Sequence, residues 1–208
     1  MNINWIKKAV ANVILLAASI SIVVLSVEMT LRLTDLKTLL VKNYLPPQFY
    51  YMADSVIGFD NSNNFPPAEF VFSDDSFKVW TNELGCFDRP YRNEKEYILL
   101  LGDSFTWGFA PFESLWGSVV ESKTGERVLK CGVNGYGTRQ ERLKAEKIVS
   151  MIKSKPSLII VGYFIGNDLE DDYLFPRSVV FNGYQIDKIV FKNTATGQKI
   201  VNDDRQLK

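Results

Sequence analysis

At 208 residues, with 24 lysines and arginines against 24 aspartates and glutamates, the chain can hold one α/β domain with a real core and has no net field that would draw it to nucleic acid. A hydrophobic share of 46% without repeats excludes a disordered chain. The absence of histidine excludes His-ligated metal sites and a histidine general base within these residues. Cys86 and Cys131 are far apart and show no CxxC-type spacing, so neither a metal site nor a cofactor is expected. Two buried free thiols are the expectation, with a disulfide as the alternative in an exported domain.

Lys7 and Lys8 precede an uncharged run from Ala9 to Val27, which as a helix measures about 28 Å and can cross a bilayer. Its polar residues Asn12, Ser19, Ser21 and Ser26 can each bond back to the helix's own backbone. Two lysines before the run and balanced charges after it place the N-terminus in the cytoplasm and the rest outside. Residues 1–35 therefore read as an uncleaved membrane anchor. The rivals are a cleaved signal peptide, whose best site, Ala17-Ala18-Ser19, falls inside the run, and a buried core helix. Residues 36–92 read as a stalk, broken at Pro46-Pro47, and an irregular cap with short strands near Phe70–Phe72 and Phe77–Trp80.

From residue 93 a regular alternation begins. Tyr97–Leu101 has the aliphatic content of a buried strand. Glu113–Lys123 reads as a helix with Leu115, Val119 and Ser122 on one face and a stop at Thr124-Gly125. Arg127–Cys131 is a second strand, followed by the glycine-rich Gly132–Gly137. Thr138–Lys153 is a helix opened by a Thr138/Glu141 capping box, with Ala145, Ile148, Val149 and Ile152 on one face. Ser157–Phe164 is a third strand. This order predicts an α/β domain with a parallel sheet and right-handed crossovers. Past Asp172, residues 177–203 read as an inserted pair of hairpins turning at Asn182-Gly183 and Thr196-Gly197.

In a parallel sheet the three strand ends share one edge, and each delivers an unusual loop. Gly102-Asp103-Ser104 offers a hydroxyl and the unpaired N–H at the start of a helical turn. Gly135 offers an unobstructed backbone N–H, and Asn167 within Gly166-Asn167-Asp168 offers a side-chain amide. Donors converging on one carbonyl oxygen would stabilise the oxyanion of acyl transfer. Taken singly, each loop could be only a helix cap, a tight turn or an Asx turn.

Together these motifs resemble the first three blocks of the SGNH (GDSL-type) hydrolase superfamily, in order, over Tyr97 to Asp172. The resemblance implies a three-layer α/β/α, flavodoxin-like fold, C-terminally incomplete, behind one transmembrane helix. It implies Ser104 as nucleophile, the Ser104 and Gly135 amides with the Asn167 side chain as oxyanion hole, and Gly102, Asp103, Gly166 and Asp168 in support. The segment from Asp54 through Asn82, Gly85 and Asp88 also resembles membrane-anchored members, with Cys86 and Phe87 where those carry an aromatic residue and an arginine. Lys130 stands where many members have asparagine. The fourth block, Asp-x-x-His, cannot be present without histidine, so the 208 residues read as the N-terminal part of a longer protein. Asp168, Asp171 and Asp172 are poor substitutes, because an ordinary carboxylate is a weak base for a serine hydroxyl. The expected activity is ester hydrolysis or acyl transfer on O-acyl, chiefly O-acetyl, groups of cell-surface carbohydrate. The alternatives are a lipid esterase, suggested by Phe105, Trp107, Phe109 and Phe112, and a non-catalytic carbohydrate-binding module. No cofactor, metal or nucleic-acid partner is expected.

Overall fold

The computed structural model describes residues 3–33 and 44–189, and the chain divides into two units at Asn43/Tyr44. The start of the expected stalk, at 36–43, and the second hairpin at Thr196-Gly197 lie outside the described residues. The first unit is a helix, α1 (Ile3–Leu33). Its stretch Ala11–Thr30 has a mean hydropathy of 2.3, the length and apolarity of a membrane span or a signal sequence. The hydroxyls of Ser19, Ser21, Ser26 and Thr30 each donate to the carbonyl four residues earlier, at 2.7–2.9 Å. Those bonds hide polar atoms that the run could otherwise expose to lipid.

The second unit begins with antiparallel strands. β1 (Tyr44–Leu45) pairs with β4 (Ala68–Phe72), and β4 with β5 (Asp75–Val79). β2 (Tyr51–Asp54) and β3 (Gly58–Asn61) form a hairpin, its turn held by Asp54 Oδ1, which accepts the Val56 and Ile57 N–H groups. Residues 44–51 belong to the domain and not to a stalk, since Tyr50 and Tyr51 are buried in a core shared with Phe59, Phe70, Trp107 and Tyr136. Edge-to-face contacts such as Tyr50–Phe65 and Phe59–Tyr136, both with centroids 5.3 Å apart, order that aromatic mass.

The alternation after residue 93 forms a parallel sheet in the order β7-β6-β8, from β6 (Ile98–Gly102), β7 (Val128–Lys130) and β8 (Leu158–Gly162). All five residues of β6 are buried, as a two-sided parallel strand requires. α3 (Trp116–Thr124), which follows the short α2 (Ser104–Trp107) and a 3₁₀ turn at Phe112–Ser114, packs Val120 against Ile98, Leu100 and Val128 on one face. α4 (Thr138–Met151) and the Ile152 after it cover Leu99, Leu101 and Leu129 on the other. α5 (Asp168–Tyr173) and the hairpin of β9 (Ser178–Phe181) and β10 (Tyr184–Asp187), turning at Asn182-Gly183, complete the described residues.

Three local expectations are corrected. α3 faces the sheet with Gly117 and Val120, while Val119 is exposed and Ser122 lies in solvent. A Cβ on Gly117 would lie 2.6 Å from Leu100 Cδ2, so the closest approach of helix to sheet sets the face. The Thr138/Glu141 capping box does not form. Gly137 is the N-cap, Gln140 Oε1 accepts its N–H at 3.4 Å, and Glu141 is buried. Finally, Cys86 and Cys131 are joined as a disulfide. The Asn82–Gly85 turn brings Cys86 to the end of β7, since Asn82 Oδ1 accepts the Leu84 and Cys86 N–H groups at 3.0 and 3.1 Å.

Charge pairs fasten the cap to the sheet. Lys144 of α4, fully buried, places its ammonium 2.6 Å from Asp60 Oδ1, and Lys147 reaches Asp60 and Asp54. Asp88 accepts Arg127 Nη1 and the Lys130 N–H, both at 2.9 Å. By contrast β8 is an edge that none of the described residues covers, with Leu158, Ile159 and Val161 exposed by 51%, 46% and 45%. Alkylation of the native protein is expected to modify neither cysteine until it is reduced. The Cys86→Ser/Cys131→Ser double variant should lose about 2–5 kcal/mol of stability in urea unfolding. A titratable native thiol would contradict the pairing.

Candidate active site

Glycines close the three parallel strands where α2 meets them. Gly102 and Gly162 end β6 and β8 in register, and Gly132 follows β7 closely. A Cβ on Gly102 or Gly162 would lie 2.1 Å from Thr106 Oγ1, and one on Gly132 would lie 2.7 Å from the Trp107 nitrogen. No side chain fits at such separations, so α2 sits directly on bare backbone. A four-residue helix has no stability of its own. This one is held by Asp103, whose Oδ1 accepts the Phe105 N–H at 2.9 Å, and by buried Trp107, whose indole N–H donates to Tyr50 Oη at 2.9 Å. Ser104 is its first residue, and among the described residues the Ser104 N–H has no acceptor, as befits the orphan donors of a helix start.

Gly135 has φ +81°, in the region that favours glycine. Its loop is tied to β6 by the Val133 N–H donating to Gly102 O at 2.9 Å, and to the cap by Tyr136 Oη donating to Phe59 O at 2.8 Å. The Gly135 N–H also has no acceptor among the described residues. Asn167 is the N-cap residue of α5. Its Nδ2 donates to Asp171 Oδ2 at 2.6 Å, and its amide also faces Asp103.

Ser104, Gly135 and Asn167 thus line one cavity of about 240 Å³. Of the supporting residues, Gly102 is part of the glycine-lined strand ends and Asp103 caps α2. Gly166 rests against the Phe164 ring, and Asp168 Oδ2 accepts the Phe164 N–H at 2.7 Å. Lys130 turns away from the Gly135 loop, its ammonium 2.7 Å from Glu121 and 5.0 Å from the Phe112 ring centroid.

Besides Asn134 and Asp171, near neighbours of Gly135 and Asn167 in the chain, the lining comes from Tyr44 of β1 and from Arg177, Ser178, Gln185 and Asp187 of the hairpin and the residue before it. Asn134 Nδ2 donates to Tyr44 Oη at 2.6 Å, and Gln185 Nε2 donates to Asn134 O at 3.0 Å. A Cβ on Gly135 would lie 2.6 Å from that Gln185 nitrogen. The hairpin read as an insertion is therefore a wall of the cavity. Its turn was legible in the sequence, but nothing local to residues 177–187 marks them as site residues. Of the aromatics after Ser104, Trp107, Phe109 and Phe112 join the core. Phe105 stays 62% exposed, its ring 4.1 Å from that of Phe164.

Among the described residues no group stands ready as a base for Ser104. Asp171 lines the cavity, but both its oxygens are engaged, one by Asn167 and one by Arg177 Nη1 at 2.8 Å. Asp168 is pushed to about 6, by burial first and then by the charges of Asp103, Asp171 and Asp172. That shift had no signal in the sequence. The Asp168 side chain bonds the Phe164 N–H and is not among the groups lining the cavity.

No protein-family model matches the chain, and no curated protein matches it in sequence. The glycine-lined strand ends can be tested alone. Gly162→Ala should destabilise the domain by about 1–3 kcal/mol, and Thr106→Ala in the same chain should recover most of that loss. Additivity of the two changes in a double-mutant cycle would show that they do not meet.

Proposed function

We propose that this protein carries the nucleophile and oxyanion hole of an SGNH-type serine ester hydrolase or acyltransferase. In this reading Ser104 Oγ attacks an ester carbonyl, and the Ser104 N–H, the Gly135 N–H and the Asn167 side-chain amide receive the oxygen as it gains charge. The observation that carries it is the presence of all three residues on one cavity, with both backbone donors lacking any other acceptor.

Taking the hydroxyl proton requires a base that these residues do not present. We assign it to a histidine outside these 208 residues. The bare edge and apolar faces of β8 support this, because a parallel strand is normally covered on both faces and paired on its edges. That completed fold would be the three-layer α/β/α arrangement.

The substrate class we favour is O-acyl, chiefly O-acetyl, carbohydrate. The cavity walls are polar side chains, among them Tyr44, Asn134, Arg177 and Gln185, suited to hydroxyl groups. Exposed Phe105 beside Phe164 gives the lipid-ester alternative its one supporting observation. The domain is assigned to the extracytoplasmic side, tethered by α1 with its N-terminus inside. The Cys86–Cys131 disulfide fits an oxidising compartment, and Lys7 and Lys8 before the apolar stretch fit that orientation.

The protein alone is expected to hydrolyse p-nitrophenyl acetate at background rate. Added imidazole should raise that rate saturably above the imidazole-catalysed reaction, because it supplies the missing base next to an otherwise assembled site. Ser104→Ala should abolish the increment. An increment that survives the substitution, or none at any imidazole concentration, would overturn the reading.

A further inference from the structure

Three carboxyl groups from three different elements are withdrawn from water around the loops that carry Ser104 and Asn167. Asp103 and Asp168 are 0% exposed and Glu141, in the first turn of α4, is 1% exposed. One oxygen of Asp103 accepts the Phe105 N–H and one of Asp168 accepts the Phe164 N–H. Among the described residues the other oxygen of Asp168 and both oxygens of Glu141 are buried without a hydrogen-bond partner, and Asp103 faces the Asn167 amide. Three ionised carboxylates in that condition would be costly, since burial of an unpaired charge is relieved only by a counter-charge or by neutralisation.

A bound cation and a bound proton are the two ways out. Among the described residues no three carboxylate, imidazole or thiol groups are disposed to hold a metal ion. The nearby arginines are also committed elsewhere. Arg177 pairs with Asp171 and Asp187 at 2.8 and 3.2 Å, and the Arg139 guanidinium lies 4.0 Å over the Phe175 ring.

We propose that Glu141, buried in the first turn of α4 with neither oxygen hydrogen-bonded among the described residues, is a positioning residue that keeps its proton at neutral pH and so spares the neighbouring Asp103 and Asp168 a further charge. A neutral carboxylic acid needs no counter-charge there and carries one O–H that can be donated. The significance for catalysis rests on the reading of Ser104 and Asn167 given above; the proton itself does not. Burial, followed by the charges of Asp168, Asp103 and Asp172, raises Glu141 to about 8, and Asp103 is also raised, chiefly by burial. Asp171 adds a further negative charge facing both Asp103 and Asp168. Ionising Glu141 would add one more charge to this dry space and drive the two loops apart.

The linkage has a definite sign. In the unfolded chain Glu141 ionises near the ordinary glutamate value, about 4.3, while in the folded protein it holds its proton to about 8. Between those values the folded state binds more protons, so its contribution to stability falls as pH rises and levels off above pH 8. Asp168, raised to about 6, contributes in the same direction over a lower range.

The test is the thermal midpoint of the full chain in detergent from pH 5 to 9, for wild type, Glu141→Gln and Glu141→Ala. The wild-type midpoint should fall by at least about 4 °C between pH 5 and 8. Glu141→Gln keeps the shape and a donor but cannot titrate, so its fall should be visibly smaller. Glu141→Ala should lose stability at every pH. Parallel wild-type and Gln curves would overturn the proposal, as would a Glu141-dependent rise of the midpoint with added Ca²⁺ or Mg²⁺. Should the variants fail to fold, the ¹³C carboxyl shift of Glu141 in the wild type decides: a midpoint near 8 supports the proposal, and one near 4.3 overturns it. None of these readouts uses activity, so failure here is distinguishable from failure of the Ser104 reading, which the imidazole assay addresses.

Discussion

Thr106 leaves no space beside it. Helix α2 lies so close to the ends of the parallel strands, its Thr106 side chain against Gly102 and Gly162 and its backbone against Gly132, that none of the three glycines can carry a side chain. That contact fixes the first turn of α2, and with it the direction in which Ser104 leaves the sheet. The Gly135 loop is drawn to the same place by its bond to Gly102 O, and Asn167 follows from the strand that ends at Gly162. A donor placed to meet a developing charge is useful only if it need not move to do so. Here the rigidity comes from the short, branched Thr106 side chain and the helix backbone packed on bare strand ends.

Electrostatics divides the domain in two. Where the cap joins the sheet, buried acids meet buried bases: Asp60 meets Lys144, and Asp88 meets Arg127. Removing one partner of such a pair strands the other, which is why these contacts hold the cap in register even though their net contribution is modest. At the carboxyl edge of the sheet the buried acids Asp103, Glu141 and Asp168 have no basic partner of that kind. The same burial that stabilises one end of the molecule makes the other end sensitive to protons.

The sequence shows the three parallel strands and α4 clearly because each is an uninterrupted apolar run or a helical stripe, whereas β1, β2 and β3 lie in a stretch that reads as stalk and irregular cap because their short, mixed sequences carry no such run. The three loops of the site are legible for a related reason. Glycine, aspartate and asparagine directly after an apolar strand mark where backbone must turn in close quarters. What stays hidden depends on distance along the chain. The Cys86–Cys131 bond, the placement of Tyr44 and Gln185 on the cavity, and the inward turn of Glu141 are all settled by tertiary contact. Glu141 shows the limit well: local rules make it a surface cap for α4, and the approach of Asp103 and Asp168 makes it a buried acid instead.

The most direct test of the account is a crystal structure of the protein after reaction with a small fluorophosphonate in the presence of imidazole, which supplies the base. The account predicts a single adduct on Ser104 Oγ, with the phosphoryl oxygen about 2.7–3.1 Å from the Ser104 nitrogen, the Gly135 nitrogen and Asn167 Nδ2. An adduct on another residue, or one on Ser104 with its oxygen turned out to solvent, would contradict it.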